Sequence, residues 1–310
     1  MEILARYFCL DTVMIDVVLK VEALPQRGGD AVSSRSAVTP GGGFNSMSAA
    51  ARHGMPSVYV GRVGSGPFSE LAMEALGREG IDIPIAADPE SDIGFCVVIV
   101  DEEGQRTFVT APGAEWNLRA SDLDGLVIAA GDYVFLSGYN FVYPQLAAVI
   151  APWVVALPSD VVVALDPGPR VMDIPPAMRR IVLERVDWLL SNADEAGQLT
   201  GADTPEAAAL ALHEVTGRRG VVVRDGAAGC VVAPRAGELL RIDGFAVDVL
   251  DTNGAGDVHN GVFLSELARG TELDEAARRA NAAAAMAIGR FGPATCPARD
   301  EVSRWFTEFS

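Results

Sequence analysis

Six short β-branched runs, most of them separated by stretches with helical signals, constrain this chain more than any other feature. They are Val58–Val63, Val97–Val100, Tyr133–Leu136, Val161–Leu165, Val221–Val223 and Cys230–Val232. Runs this apolar do not suit a sheet with one wet face, and their alternation with helices is the pattern of a mostly parallel sheet covered on both sides. The helical signals are local. Thr204-Pro205-Glu206 reads as N-cap, first-turn proline and first-turn acid, with Gly217 as the stop. Ser69 opens a segment with Leu71, Ala72, Ala75 and Leu76 on one face, closed by Gly80. Ala276–Ile288 is rich in alanine, which suits close helix packing or a ligand wall. Two segments, 16–38 and 93–110, are strand-like with less helix, the second with a turn at Asp101-Glu102-Glu103-Gly104. They predict a small β-sheet projecting from the main body. No repeat and no linker divides the chain, so the expectation is one α/β domain over residues 1–310 that carries this sheet as a lid.

Charge and composition exclude several functions. The net charge is −18, from 42 acidic against 24 basic residues. Such a surface repels phosphate backbones and anionic lipid, so nucleic acid and membranes are not expected partners. A nucleotide is still admitted, because a nest of backbone N–H groups binds phosphate without net positive charge. Cys9, Cys96, Cys230 and Cys296 form no C-x-x-C pair and read as reduced, packed thiols. His53, His213 and His259 are too scattered to suggest a metal cluster. Glu2, Arg6 and Asp11 deny the N-terminus a signal-peptide core, and the apolar stretch Leu146–Leu157 is short and broken by Pro152. A cytoplasmic location is expected.

The chemistry concentrates in Asp251-Thr252-Asn253-Gly254-Ala255-Gly256-Asp257, which leads into a helix-like run. Gly254, Ala255 and Gly256 make a small-residue turn at a helix start, where free N–H groups and the helix dipole attract an anion. A carboxylate at such a place opposes phosphate binding. It makes sense if Asp257 takes a proton from a hydroxyl while the nest holds the phosphoryl group being transferred. A plain glycine turn with Asp257 as a first-turn acid explains the spacing equally well.

That string resembles the C-terminal signature of the ribokinase-like (PfkB) carbohydrate kinase family, and Asn260-Gly261 also fits ribokinase-type members. The resemblance runs in order from Asp16 to Gly292. It implies a three-layer α/β/α sandwich with a mostly parallel central sheet and a small β-sheet lid. Asp257 would be the general base, with Gly254, Ala255 and Gly256 as the anion hole. Gly41-Gly42-Gly43-Phe44-Asn45 resembles the family's N-terminal glycine signature, so Gly42, Gly43 and Asn45 would bind the sugar together with Asp16. Asn192-Ala193-Asp194-Glu195 matches the Asn-x-x-Glu motif and would face a Mg²⁺–phosphate group, Glu195 through water; helix capping is the alternative. Arg224, Gly226, Gly229 and Asn281 would line the nucleotide, although threonine is common in the family at the position of Arg224. Arg170 either reaches phosphate or is a surface residue. Asp251 would lie near a monovalent cation. The implied reaction is ATP-dependent phosphorylation of a primary hydroxyl on a small sugar, with Mg²⁺ and optionally K⁺, in a homodimer joined through the lid. Tyr139, Phe141 and Trp116 leave a nucleoside kinase open, and a non-catalytic sugar-binding regulator is the reading from another class. Departures from the family pattern at Glu115, Trp116, Asn140 and His259 bear on the acceptor pocket, and Asp11 stands where many members have glycine.

Overall fold

A computed structural model describes residues 5–309 apart from positions 217, 236, 291 and 293. The helix stop foreseen at Gly217 therefore lies outside the described residues. In chain order the strands are β1 (Tyr7–Cys9), β2 (Val13–Lys20), β3 (Arg35–Gly42), β4 (Ser57–Tyr59), β5 (Phe95–Val100), β6 (Arg106–Ala111), β7 (Tyr133–Ser137), β8 (Val162–Asp166), β9 (Trp188–Asn192), β10 (Gly220–Arg224), β11 (Cys230–Ala233) and β12 (Leu240–Ile242). Eight of them form the central sheet in the order β12-β11-β10-β9-β8-β7-β1-β4. Neighbours from β10 to β4 are parallel, and β11 and β12 add an antiparallel edge.

Alternation along each strand explains the three layers. Tyr133 and Phe135 of β7 enter one apolar cluster, which packs on the helices Gly43–Arg52, Ala255–Arg269 and Leu273–Ile288. Val134 and Leu136 enter the other, beneath Pro144–Ala156, Pro176–Arg185 and Pro205–Thr216. Successive residues point to opposite faces, so runs without polar alternation need helices on both sides. All four cysteines are free and buried. No helix among the described residues is long and apolar enough to cross a membrane.

The six foreseen runs are strands with small changes of boundary. Of the first run only Val58 and Tyr59 lie in β4, with the Val60 N–H still donating to Cys9 O at 2.8 Å before the chain turns away. β1 and β12 were not foreseen, being three residues each and poor in β-branched side chains. Thr204 does cap its helix, accepting from the Ala207 N–H at 3.2 Å. Ser69 does not begin a helix: the helix is Pro67–Arg78. The Ser69 hydroxyl instead accepts from Gly64 N–H (3.1 Å) and Ile93 N–H (2.9 Å) and donates to Asp92 (2.6 Å), tying the helix to the root of the lid.

The lid is the second sheet, ordered β3-β2-β5-β6. Its register puts Asp16 opposite Thr39 and Cys96, and Cys96 opposite Thr110, along one row of the inner face. The next row, on the outer face, is Val38, Val17, Val97 and Val109, with Val38 and Val109 exposed. Arg106 at the start of β6 reaches across to Asp251 in the main body at 2.5 Å.

Candidate active site

Adjacent parallel strands end on polar residues along one edge of the sheet: Ser137 closes β7, Asp166 closes β8, Asn192 closes β9 and Arg224 closes β10. Asp11 follows β1, next to β7, so it extends the row. Ligands of open α/β sheets bind outside these carboxyl ends. The helix Ala255–Arg269 starts over the row. Its N-cap Gly254 is left-handed at φ 73°, which glycine adopts without penalty, and the first-turn N–H groups have no intrahelical acceptor.

Asp257 sits in that first turn. Asn45 Nδ2 donates to its Oδ2 at 3.2 Å, and Asn45 Oδ1 accepts from the Ala294 N–H at 3.0 Å. Burial first, then the negative charge of Asp166, pushes Asp257 up to about 7, against the pull of Asn45 and Arg224. A β-carbon on Gly254 would stand 3.2 Å from Asn45 Nδ2, and one on Gly256 would stand 3.3 Å from Arg224 Nη2. The string that carries Asp257 is therefore wedged between an amide on one side and a guanidinium on the other.

The lid contributes Asp16. A β-carbon on Gly41 would lie 2.2 Å from Asp16 Oδ2, so the carboxylate rests on bare glycine backbone. Burial raises Asp16 to about 6, opposed by a hydrogen bond from Asn253 and the charge of Arg106. Gly42 is left-handed at φ 60°, with Thr12 O where its β-carbon would be, and Gly43 packs on Asp11 while its N–H donates to Thr12 O at 2.9 Å. Asp11 and Gly41 were not among the predicted site residues. A chain position beside β1 could have pointed to Asp11, but that strand carried no readable signal.

Arg224 is held by its neighbours. It donates to Asp166 Oδ2 at 3.0 Å and makes a short bond to Asn260 Oδ1, while Asn260 Nδ2 donates to Asp166 at 2.7 Å. Asn192 and Glu195 form a capping box, Asn192 Oδ1 accepting from Glu195 N–H and Glu195 Oε2 from Asn192 N–H. The capping alternative is thus what their geometry displays. Glu195 is buried and pushed up to about 7 by burial, then by Asp166. Beside Arg224 a cavity of about 630 Å³ is walled by Gly226, Gly229, Phe245, Ala284 and Ile288. Asn281 also borders it, yet its amide is committed: Nδ2 donates to Ile242 O and Asp243 O, and Oδ1 faces His259 Nε2, all at 3.1 Å. Asn281 shapes the wall by joining its helix to the end of β12.

Arg170 and Asp251 are both engaged by other protein groups. Arg170 does not approach the row; it pairs with Asp173 at 2.7 Å on the surface and lies over the Tyr143 ring. The Asp251 carboxylate accepts from Arg106, Asn253 N–H and Gly292 N–H, which leaves a poor fit for a monovalent cation at its oxygens. Of the three aromatic residues considered for a nucleoside pocket, Phe141 is buried in the core and Trp116 packs tilted against Tyr143 with centroids 4.1 Å apart. Tyr139 remains beside Asp11.

Comparison with known proteins now bears on this geometry. The pfkB family carbohydrate kinase model matches residues 5–300. The chain belongs to that family. Among pfkB relatives, the uncharacterised sugar kinase YegV of Escherichia coli is 30% identical over 303 residues, covering 93% of this chain and 90% of that protein. The ATP-dependent ribose-1-phosphate kinase of Halopiger xanaduensis is 29% identical over 300 residues, covering 94% and 95%. The structure of Arabidopsis thaliana ribokinase complexed with ribose and ATP shares the fold, with a TM-score of 0.77 at 23% identity and 98% of each chain covered. This pfkB member is accordingly a sugar kinase, a phosphotransferase on the ribokinase-like fold.

Proposed function

We propose that the protein transfers the γ-phosphoryl group of ATP to a primary hydroxyl of a small sugar, with Asp257 as general base. One observation carries this reading: a buried carboxylate, held by Asn45 and raised toward neutrality, stands in the first turn of a helix whose N-cap is a left-handed glycine. A base is most useful when its pKa lies near the working pH. The backbone N–H groups of the 254–256 turn, of which Ala255 reaches Thr252 O only at 3.4 Å, supply the anion hole for the phosphoryl oxygens. Asp16 and Asn45 orient the acceptor hydroxyls from opposite sides, one from the lid and one from the main body. Gly226, Gly229 and the apolar wall around Phe245 receive the base and ribose of the nucleotide.

Mg²⁺, when bound, would neutralise the triphosphate. The donor chemistry fits it, since Glu195 and Asp166 crowd two carboxyl groups together beside the nucleotide cavity. The lid, one domain with the rest of the chain, closes over the acceptor and keeps water from the phosphoryl group. Its outer valine row is the surface by which two copies would pair, and the cytoplasm is the compartment that supplies ATP. A sugar is favoured over a nucleoside because Phe141 and Trp116 are engaged elsewhere. A silent sugar-binding regulator has no use for a base at an anion hole.

The test is ADP release from MgATP over pentoses, hexoses, ketohexoses and nucleosides, with Asp257→Asn in parallel. Acceptor-dependent release that falls by ~10²–10⁴-fold in the variant is the expected result. A variant that keeps more than about a tenth of wild-type turnover sinks the base assignment.

A further inference from the structure

The row of strand ends has a direction. Arg224 and Asn192 line the nucleotide cavity at one end, Asp166 lies midway, and Ser137 and Asp11 stand at the other end, under the glycine turn that carries Asn45. From β10 to β1 is four strand spacings, roughly 19 Å. Asp11 is therefore remote from the nucleotide and adjacent to the acceptor. It is nine-tenths buried, and burial and the charge of Asp257 push its carboxyl group up while the nearby Ser137 hydroxyl and Thr12 N–H pull it down. Among the described residues it has no ion pair with a basic side chain. Arg106 and Arg224, the cations felt by Asp16 and Asp257, are already bonded to Asp251 and Asp166.

We propose that Asp11 sets acceptor specificity: its carboxyl group takes a further hydroxyl or an amino group of the acceptor, and the compartment admits uncharged and amino-bearing polyols while rejecting sugar phosphates and sugar acids. This rests on the kinase reading above. The physical reason lies in shared protons. Asp11, Asp16 and Asp257 surround the acceptor end, and an anion brought among them is tolerated only if these carboxyl groups take up protons. Asp257 is one of them, and a protonated Asp257 is no base. An ammonium group has the opposite effect, drawing protons off Asp11 and Asp257 and leaving the base ionised. Tyr139 and Cys9 also border Asp11, and both are uncharged at neutral pH.

The experiment measures ADP release from MgATP by the full chain with matched acceptors that keep a free primary hydroxyl: ribose and ribose 1-phosphate, then glucose, glucosamine, glucose 1-phosphate and gluconate. Wild type is expected to use the best neutral or amino acceptor with kcat/KM at least ~100-fold above any anionic one. Asp11→Asn is expected to raise the KM of that acceptor ~10-fold while the KM for ATP stays within twofold. Asp11→Gly gives the same reading if the asparagine variant folds poorly, with thermal unfolding and ATP binding measured for both. An anionic sugar as the best acceptor overturns the proposal, as does an acceptor KM unmoved in both variants; neither result touches the kinase reading. Silence of wild type across the whole panel removes the kinase reading, and the role of Asp11 with it.

Discussion

The two ends of the cleft are built from opposite materials. At the proposed acceptor end the wall is carboxyl groups, Asp11, Asp16 and Asp257, with Asn45 bonded to Asp257 and Asn253 and Ser137 close by. At the nucleotide end it is glycine backbone, alanine and phenylalanine, with Arg224 clamped between Asp166 and Asn260. On the proposed function, one end would discriminate by directional hydrogen bonds and charge, and the other would accept a large apolar surface and an anion. Phosphoryl transfer belongs at the border, and the border is where Asp257 and the Gly254 turn stand.

Four changes would break or sharpen that contrast. The largest effect is expected from Gly256→Val, whose side chain meets Arg224 and crowds the anion hole: kcat should fall at least ~100-fold while acceptor affinity, read by calorimetry, stays put. The pH profile comes next. Asp257 at about 7 must be ionised to act, so kcat/KM should drop ~10-fold per pH unit on the acid side of neutrality. A flat profile from pH 5 to 8 would deny it the role of base. Arg106→Ala, which frees the lid from Asp251, should raise the acceptor KM ~5-fold at saturating ATP, the equivalent of about 1 kcal/mol, and weaken ATP binding by a similar factor when the acceptor is present. The smallest effect is on stability. Asp11 is pushed from an ordinary value near ~3.9 up to about 8, so the folded state binds a proton more tightly than the unfolded chain. Its cost to stability grows as pH rises past ~4 and is complete above the folded value. Asp11→Asn should therefore raise the melting temperature at pH 9 by about 2–4 °C and change it little at pH 4.

The border between the two ends was the more legible in sequence, and the reason is physical. Its parts are contiguous: Gly254, Ala255, Gly256 and Asp257 come in one string, and a phosphate cradle made of backbone must be local. The acceptor end is assembled from the end of β1, the glycine turn, the lid strand β2 and the end of β7, so only topology brings Asp11, Asp16, Asn45 and Ser137 together. Asp16 and Asn45 were found by resemblance to a family, and Asp11 entered only as a departure from it. Arg170 and Asp251 show the converse failure, where a residue lies in a suggestive segment and its charge is spent on Asp173 or Arg106. The lid was foreseen from strand-rich segments, but its register, and hence which residues share a face with Asp16, depends on pairings that no single strand encodes.

The bond between Arg106 and Asp251 joins the lid that receives the acceptor to the loop that becomes the phosphate cradle. A strut of this kind makes the two ligands thermodynamically dependent. Whatever free energy the acceptor gives to seating the lid is also felt by the nucleotide loop, and by reciprocity the nucleotide must tighten the acceptor by the same factor. Binding of the pair would then be cooperative, and cutting the strut would leave two sites that bind in ignorance of each other.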